Sequence, residues 1–162
     1  MRNPALVSSE RSDWRTPREV WAVLRQFNAG ILDPCADSNP GNHAADFNYT
    51  IEDDGLVSNW DIPDALVYCN PPYGNGMLHW IERAIREDGE GCEIILLTPA
   101  RPGSQWWRRC WTSARAYCFW DGRIKFVGAE QGAPFPSIFW YWGRRKFKFC
   151  SVFEPHGLVG TL

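Results

Sequence analysis

Four consecutive residues, Asn70-Pro71-Pro72-Tyr73, bring together groups with a defined chemistry. Two prolines stiffen the backbone and remove two N–H donors, so the loop presents acceptors. These are the amide oxygen of Asn70 and the carbonyl oxygen of Pro71, with the ring of Tyr73 beside them. Two neighbouring acceptors suit the two hydrogens of an exocyclic amine on a flat heterocycle that stacks on Tyr73. Drawing those hydrogens out of the ring plane localises the nitrogen lone pair toward an incoming electrophilic carbon. An amide suits this task better than a strong base, because the amine need not lose a proton before it attacks. Asn-Pro-Pro is also good turn chemistry, so the elements around the loop must decide between the two readings.

Those elements are legible. A helix is expected to open with Thr16 as cap, Pro17 at its first position and Glu19 three residues after the cap. Val20, Trp21, Leu24 and Phe27 give it one apolar face, and Gly30 stops it. Ile31-Leu32 begins a short buried strand that ends in Asp33-Pro34. Residues 35–60 are rich in Asp, Asn, Gly and Ser and read mostly as loop. Ala65 to Cys69 is a second buried strand, running directly into Asn70. A helix follows over Gly76 to Glu87, with Met77, Trp80, Ile81, Ala84 and Ile85 facing inward, and Ile94 to Thr98 is a third buried strand. Another helix starts near Ser104 and carries Trp106, Trp107, Cys110 and Trp111. Further strands are expected at 115–120, 124–127, 137–142 and 146–153. Strands alternating with helices predict an α/β fold with a mostly parallel, doubly wound sheet, and the closely spaced last strands predict an antiparallel end. Ligands in such sheets sit beyond the carboxyl ends of the strands, where both Asp33-Pro34-Cys35 and Asn70-Pro71-Pro72-Tyr73 fall.

Bulk properties narrow the classes. A chain of 162 residues with 44% hydrophobic content suits one core-forming domain and argues against disorder throughout. We expect a loose arm over residues 1–12 and one domain over 13–162. The apolar runs are too short to span a bilayer and no apolar leader opens the sequence, so a soluble, cytoplasmic protein with no membrane partner is expected. Cys35, Cys69, Cys92, Cys110, Cys118 and Cys150 form no C-x-x-C pair and are read as free thiols. His43, His79 and His156 are scattered, so no metal site is expected. Net charge is only −2, but it is unevenly spread. Residues 1–100 hold 7 basic and 16 acidic side chains, whereas residues 101–150 hold 10 and 2. Such asymmetry is a mark of nucleic-acid contact, although a solvated basic face has the same composition. A nucleobase is the obvious bearer of a flat ring with an exocyclic amine. Flipping one from a duplex costs a few kcal/mol, and aromatic stacking returns about 1–3 kcal/mol.

With these pieces in order, the chain resembles the phage-type DNA N6-adenine methyltransferase (Dam-like) family. Asn70-Pro71-Pro72-Tyr73 looks like the (D/N/S)-P-P-(Y/F) signature of amino-directed DNA methyltransferases, and Asp33-Pro34-Cys35-Ala36-Asp37 looks like a variant of their cofactor motif. Trp14-Arg15-Thr16-Pro17, Asp54-Gly55-Leu56 with Trp60, and Leu97-Thr98-Pro99-Ala100 match further pieces. So do Gly122-Arg123-Ile124-Lys125-Phe126 and Pro134-Phe135-Pro136-Ser137. The resemblance covers about residues 13–142. It implies a Rossmann-like class I methyltransferase sheet, S-adenosyl-L-methionine as cofactor, and methylation of the N6 amine of a flipped adenine in DNA. Asn70, Pro71, Pro72 and Tyr73 would form the catalytic loop. Trp14, Thr16, Asp33, Pro34, Cys35 and Ala36 would contact the cofactor, with Asp33 seating its ammonium. The usual motif is glycine-rich after the acidic residue, where this chain has Cys35-Ala36-Asp37-Ser38. An acidic ribose ligand at the end of the next strand is not evident either, and Asp46, Asp54 and Asp61 are the candidates. A phage or prophage origin, in a bacterial host cytoplasm, is implied by the resemblance alone.

DNA contacts are expected at Arg108 and Arg109, beside Trp106 and Trp107, and at Arg123, Lys125 and Phe135. In the run Arg144 to Phe149, read as a strand, Lys146 and Lys148 share one face and Phe147 and Phe149 the other. Three other outcomes stay open. One is N4-cytosine methylation, since the same loop serves either amine. Another is a non-catalytic DNA-binding or decoy module that kept the fold. The third is amino methylation of RNA or of a protein glutamine. The partner is expected to be DNA, and the protein is a possible homo-oligomer.

Overall fold

The computed structural model describes residues 14–162; the expected arm over residues 1–12 lies outside them. Among the described residues there are four α-helices and seven strands. They are α1 (Arg18–Phe27), β1 (Gly30–Asp33), β2 (Phe47–Asn48), β3 (Ala65–Cys69), α2 (Met77–Gly89) and β4 (Glu93–Pro99). They continue with α3 (Gln105–Ser113), β5 (Ala116–Trp120), β6 (Ser137–Trp142), α4 (Lys146–Phe153) and β7 (Gly157–Thr161). All strands join one seven-stranded sheet in the order β2-β1-β3-β4-β6-β5-β7. The first four are parallel. β6 inserts antiparallel between β4 and β5, and β7 runs antiparallel on the far side of β5.

The sheet is covered on both faces. One core sets Leu66 and Tyr68 of β3 and Phe139 and Tyr141 of β6 against Val20, Val23, Leu24 and Phe27 of α1 and Phe149 and Phe153 of α4. The other sets Val67, Cys69, Ile138, Trp140 and Trp142 against Met77, Ile81 and Ala84 of α2 and Cys110 of α3. Successive strand residues alternate between the faces, as the pleat requires. All six residues of β6 are buried, so its unbroken apolar run belongs to a central strand.

This topology places the motifs. From β1 the chain crosses to β2 on one side and to β3 on the other, so the order reverses between β1 and β3. Ligand sites in open α/β sheets form at this reversal, beyond the carboxyl ends of the strands. Asp33 ends β1, and Asn70 follows the last residue of β3, its hydrogen-bonded neighbour.

Several expectations are corrected. Thr16 does not cap α1: Pro17 is the cap residue, no side chain caps it, and the Thr16 hydroxyl is engaged elsewhere. Gly30 does not stop the helix; Asn28 closes it and Gly30 opens β1. Residues 124–127 do not form a strand, because no strand lies beside them. Residues 146–153 form helix α4 instead of a strand. The alternation of Lys146 and Lys148 with Phe147 and Phe149 therefore does not separate two faces. Phe149 is buried, with Phe153 one turn on, while Phe147 is 75% exposed. β7 was not anticipated.

Candidate active site

Asn70 leaves β3 on the same face as Tyr68, two residues earlier, and reaches the segment that precedes α1. Its amide nitrogen donates to the Trp14 carbonyl and, at 3.2 Å, to the Thr16 hydroxyl oxygen. A carbonyl only accepts, so the nitrogen must face Trp14 and the Asn70 oxygen must face away. That oxygen is buried and has no hydrogen-bond partner. Buried acceptors are almost always satisfied, so an unpaired one held in a fixed direction marks a place for a donor.

The rest of the loop is shaped around it. Pro71 is buried and Pro72 is exposed. The ring of Tyr73 lies near-parallel to Trp14, with centroids 6.4 Å apart, and edge-on to Phe135 at 5.6 Å. Phe126 and Phe135 also close on Trp14, at 5.3 and 5.4 Å. The Tyr73 hydroxyl and the Trp14 indole N–H are buried without partners. Burial pushes the Tyr73 hydroxyl well above its ordinary pKa, so it stays a neutral phenol. Gly74 follows with φ of 134°, a backbone shape that side chains rarely allow.

Beside this loop, Asp33 accepts from the Cys35 backbone N–H at 2.9 Å. Its carboxyl forms no ion pair among the described residues. Burial raises its pKa from 3.8 to about 7, against smaller opposing effects of that N–H and of His43. Pro34 is buried. Ala36 is tied through its N–H to the Tyr49 carbonyl at 2.8 Å. The Cys35 thiol is pushed up to about 12 by burial and by the nearby Asp33, so it is no nucleophile. All six cysteines are free.

The three acidic candidates for a ribose ligand separate. Asp46 is bound to Arg25 at 2.5 Å and to the Ile31 N–H at 2.8 Å. Asp54, at φ of 51°, accepts from the Leu56 N–H at 3.2 Å within its own turn. Asp61 precedes β3 and so lies at the opposite edge of the sheet from Asp33 and Asn70. The position that ends β2, opposite Asp33 in register, is Asn48. Its amide nitrogen donates to the Ala45 carbonyl at 2.9 Å, while its oxygen is buried and unpaired. Adjacent strand ends β2, β1 and β3 thus carry three acceptor groups, Asn48, Asp33 and Asn70, facing a need for donors.

The residues expected to touch DNA also divide. Arg123 and Lys125 are exposed in the segment after β5, at the same edge as Asn70, with Ile124 and Phe126 turned inward. Phe135 is only 6% exposed and forms a wall of the aromatic cluster, so it offers DNA almost no surface. Arg109 is held by Glu82 through two contacts, at 2.5 and 2.8 Å. Arg108 is exposed. Trp106 and Trp107 pack on the sheet face, Trp107 edge-on to Trp140 at 4.9 Å.

Sequence reasoning missed three contributors and left a fourth, Gly55, without a role. Tyr68 bonds Thr16. Arg101 lies over the Phe135 ring at 5.6 Å, just after the Leu97-Thr98-Pro99-Ala100 match. Asn48 has no local signal, since only strand register brings it to Asp33. Gly55 sits so close to Pro34 that an added Cβ would lie 1.7 Å from the Pro34 carbonyl oxygen. Trp60 donates to the Gly55 carbonyl at 2.8 Å, and the buried Arg83 grips the carbonyls of Leu56 and Ser58. This explains why Asp54-Gly55-Leu56 and Trp60 act together: they support the Asp33 loop from below.

Among the described residues no group of three metal-ligating side chains occurs, and no helix is long and apolar enough to cross a membrane. No individual curated protein matches the chain. A family model, described as DNA N-6-adenine-methyltransferase (Dam), matches residues 4–137. That span takes in Trp14, the Asp33 loop, the Asn70 loop and the aromatic wall, so the chain belongs to the DNA N-6-adenine-methyltransferase (Dam) family.

Proposed function

We propose that the protein transfers a methyl group from S-adenosyl-L-methionine to the N6 amine of an adenine flipped out of DNA. The observation that carries this reading is the Asn70 amide, whose nitrogen is pinned and whose buried oxygen is unpaired. An acceptor fixed this way takes a hydrogen from an amine and rejects a keto oxygen, which selects adenine or cytosine over guanine O6 or thymine O4. The Pro71 carbonyl takes the second hydrogen and Tyr73 stacks the ring. Asn70 stays neutral and the amine attacks as a neutral nucleophile.

The residues at the neighbouring strand ends fit the cofactor's donors. S-adenosyl-L-methionine supplies an electrophilic methyl group on a cationic sulfur. Asp33, a buried carboxyl with no ion-pair partner, takes the ammonium group, and the unpaired Asn48 oxygen takes a ribose hydroxyl. Trp14, Pro34, Cys35 and Ala36 line the same edge, where Thr16 turns its hydroxyl to Asn70 and Tyr68. The reversal of strand order between β1 and β3, with helices on both faces, supports a Rossmann-like methyltransferase sheet. Arg101, Arg123 and Lys125 at this edge supply positive charge for phosphates. We read the described residues as one domain acting in the cytoplasm, with target choice in the loops of residues 101–136.

The test is transfer of labelled methyl from S-adenosyl-L-methionine to unmethylated DNA, followed by nucleoside analysis, with Asn70→Ala alongside. Label in N6-methyladenine that vanishes in the variant is the expected result. Label in N4-methylcytosine would keep the mechanism and change the base. Absence of both transfer and cofactor binding would overturn the reading in favour of a decoy module.

A further inference from the structure

The orientation of Asn70 raises a question that the loop itself does not answer. A side-chain amide turns easily about its last bond, and a half-turn would exchange the acceptor for a donor. The Trp14 carbonyl blocks that turn from one side. The second restraint is the Thr16 hydroxyl, 3.2 Å from the Asn70 nitrogen. A hydroxyl can swing away or reverse its roles, so it restrains the amide only if something restrains it. That group is Tyr68, fully buried in β3, whose hydroxyl lies 2.8 Å from the Thr16 oxygen.

We propose that Tyr68, acting through Thr16, is a positioning residue that holds the Asn70 amide oxygen toward the substrate amine. The proposal rests on the reading of Asn70 as the amine's acceptor. Thr16 is the one hydrogen-bond partner of the Tyr68 hydroxyl among the described residues, and a buried hydroxyl must place its hydrogen. Tyr68 and Thr16 thus share one hydroxyl–hydroxyl bond. The Thr16 oxygen also accepts from the Asn70 amide, and the two bonds together fix its rotamer. Burial holds the Tyr68 phenol well above its ordinary pKa, so it keeps this hydrogen throughout the stable range. The pleat makes the arrangement possible, because Tyr68 and Asn70, two apart in β3 and its extension, face the same side. Thr16-Pro17 opens α1 on that side. Neither Thr16 nor Tyr68 need touch the substrate for this role.

Two measurements decide the matter. The first is exchange of the Asn70 side-chain amide hydrogens in isotope-labelled protein, read by NMR without substrate. Thr16→Val, which keeps the shape and removes the hydroxyl, is expected to speed exchange about fivefold or more, and Thr16→Ser to leave it near the parent value. The second is steady-state kinetics of methyl transfer. Thr16→Val is expected to lower kcat about 10- to 100-fold with KM for DNA and cofactor within about twofold. Thr16→Ser restores the rate, and Tyr68→Phe, which removes one oxygen, lowers kcat by a smaller factor. If Thr16→Val fails to fold, Tyr68→Phe carries both measurements. Parent-like amide exchange in Thr16→Val and Tyr68→Phe would overturn the relay. A raised KM for the cofactor with unchanged kcat would also overturn it, by putting the Thr16 hydroxyl on the ligand itself. Should the parent protein transfer no methyl group, the functional reading falls, while the exchange measurement still decides what holds Asn70.

Discussion

The two edges of the sheet differ in kind. At the edge where β4 begins and β6 ends lie two open clefts of about 560 and 340 Å³, lined by residues such as Asp88, Arg115, Arg144, Glu93 and Arg145. Their main charges answer one another: Arg115 meets Asp88 at 3.0 Å, and Arg145 meets Glu93 at 3.4 Å. The other edge is marked by unmet polar chemistry. The buried unpaired side-chain atoms among the described residues belong to Trp14, Asn48, Asn70, Tyr73 and Ser137. Asn48 ends β2, Asn70 follows β3, and Ser137 lies opposite Pro99 at the end of β4. An unpaired buried group costs about 1–3 kcal/mol, so five of them at one edge represent stability forgone. Unsatisfied atoms, in place of answered charges, distinguish the edge of the candidate site.

The comparison breaks most sharply at Asn70. Asn70→Ala is expected to lower methyl transfer about 10³-fold, as loss of one oriented group at a reacting centre does. Arg115→Ala, in the larger cleft, is expected to change the rate less than twofold and stability by less than about 1 kcal/mol, since the Arg115 side of the ion pair is exposed to solvent, although Asp88 is largely buried. Equal effects on transfer at the two edges would remove the distinction.

Asp33 tests the same idea through pH. Its folded pKa, about 7, lies above the ordinary 3.8, so folding buries a charge that the unfolded chain solvates freely. The cost begins above pH 4, grows as pH rises, and levels off beyond pH 7. Asp33→Asn keeps an acceptor for the Cys35 N–H and removes that cost. Its unliganded form is expected to be more stable than the parent, by up to about 4 kcal/mol at pH 8 and by much less near pH 4. Cofactor affinity runs the other way. If the parent binds the cofactor's ammonium with an ionised carboxyl, as proposed, its Kd is expected to rise about tenfold per pH unit below 7. Asp33→Asn binds weakly at every pH. Thermal melts and cofactor titrations across pH 5–8 check both, and a variant less stable at pH 8 would show that Asp33 is structural.

Gly55 gives a smaller, purely steric effect. A Cβ there meets the Pro34 carbonyl oxygen at 1.7 Å and the Trp80 ring at 3.1 Å. Gly55→Ala must move the Asp33 loop, and is expected to weaken cofactor binding about tenfold and cost about 1–3 kcal/mol of stability. Unchanged binding would mean that the loop is positioned from elsewhere.

What was legible in the sequence follows the same physics. β3 and β6 coincide with the expected 65–69 and 137–142 because their apolar runs are buried on both faces. The 124–127 alternation was real, since Ile124 and Phe126 turn inward, but periodicity says nothing about a partner strand. The run 146–149 was misread because Lys and Phe alternate at period two, while Phe149 and Phe153 carry the helical spacing that packing uses. β7 escaped because its two glycines weaken a strand pattern. Each is required by a close neighbour: a Cβ at Gly157 would meet the Phe119 carbonyl at 2.1 Å, and one at Gly160 the Tyr117 hydroxyl at 2.5 Å. At the site, Asn70 and Asp33 were readable as motifs. Thr16 was readable as a cap and, through the family resemblance, as a cofactor contact, but not as a partner of Tyr68, because that bond spans 52 residues. Asn48 depends on strand register and was not readable at all.

The mildest expected effect separates position from charge. Arg109 and Lys125 were both expected at DNA, yet Arg109 is engaged by Glu82, whereas Lys125 projects from the segment whose inward residues, Ile124 and Phe126, wall the site. Lys125 also follows Arg123, equally exposed and on the same side of the segment. A phosphate contact contributes through counterion release, so removing one lowers the salt dependence of binding by a slope of about 0.9. Lys125→Ala and Arg123→Ala are each expected to weaken DNA binding severalfold and to flatten its salt dependence by about that amount, leaving cofactor affinity unchanged. Arg109→Ala is expected to leave the slope alone, because its guanidinium already has a carboxylate partner. A salt slope that falls only in Arg109→Ala would place the DNA across α2 and α3, and would separate the edge that satisfies the amine from the surface that holds the phosphates.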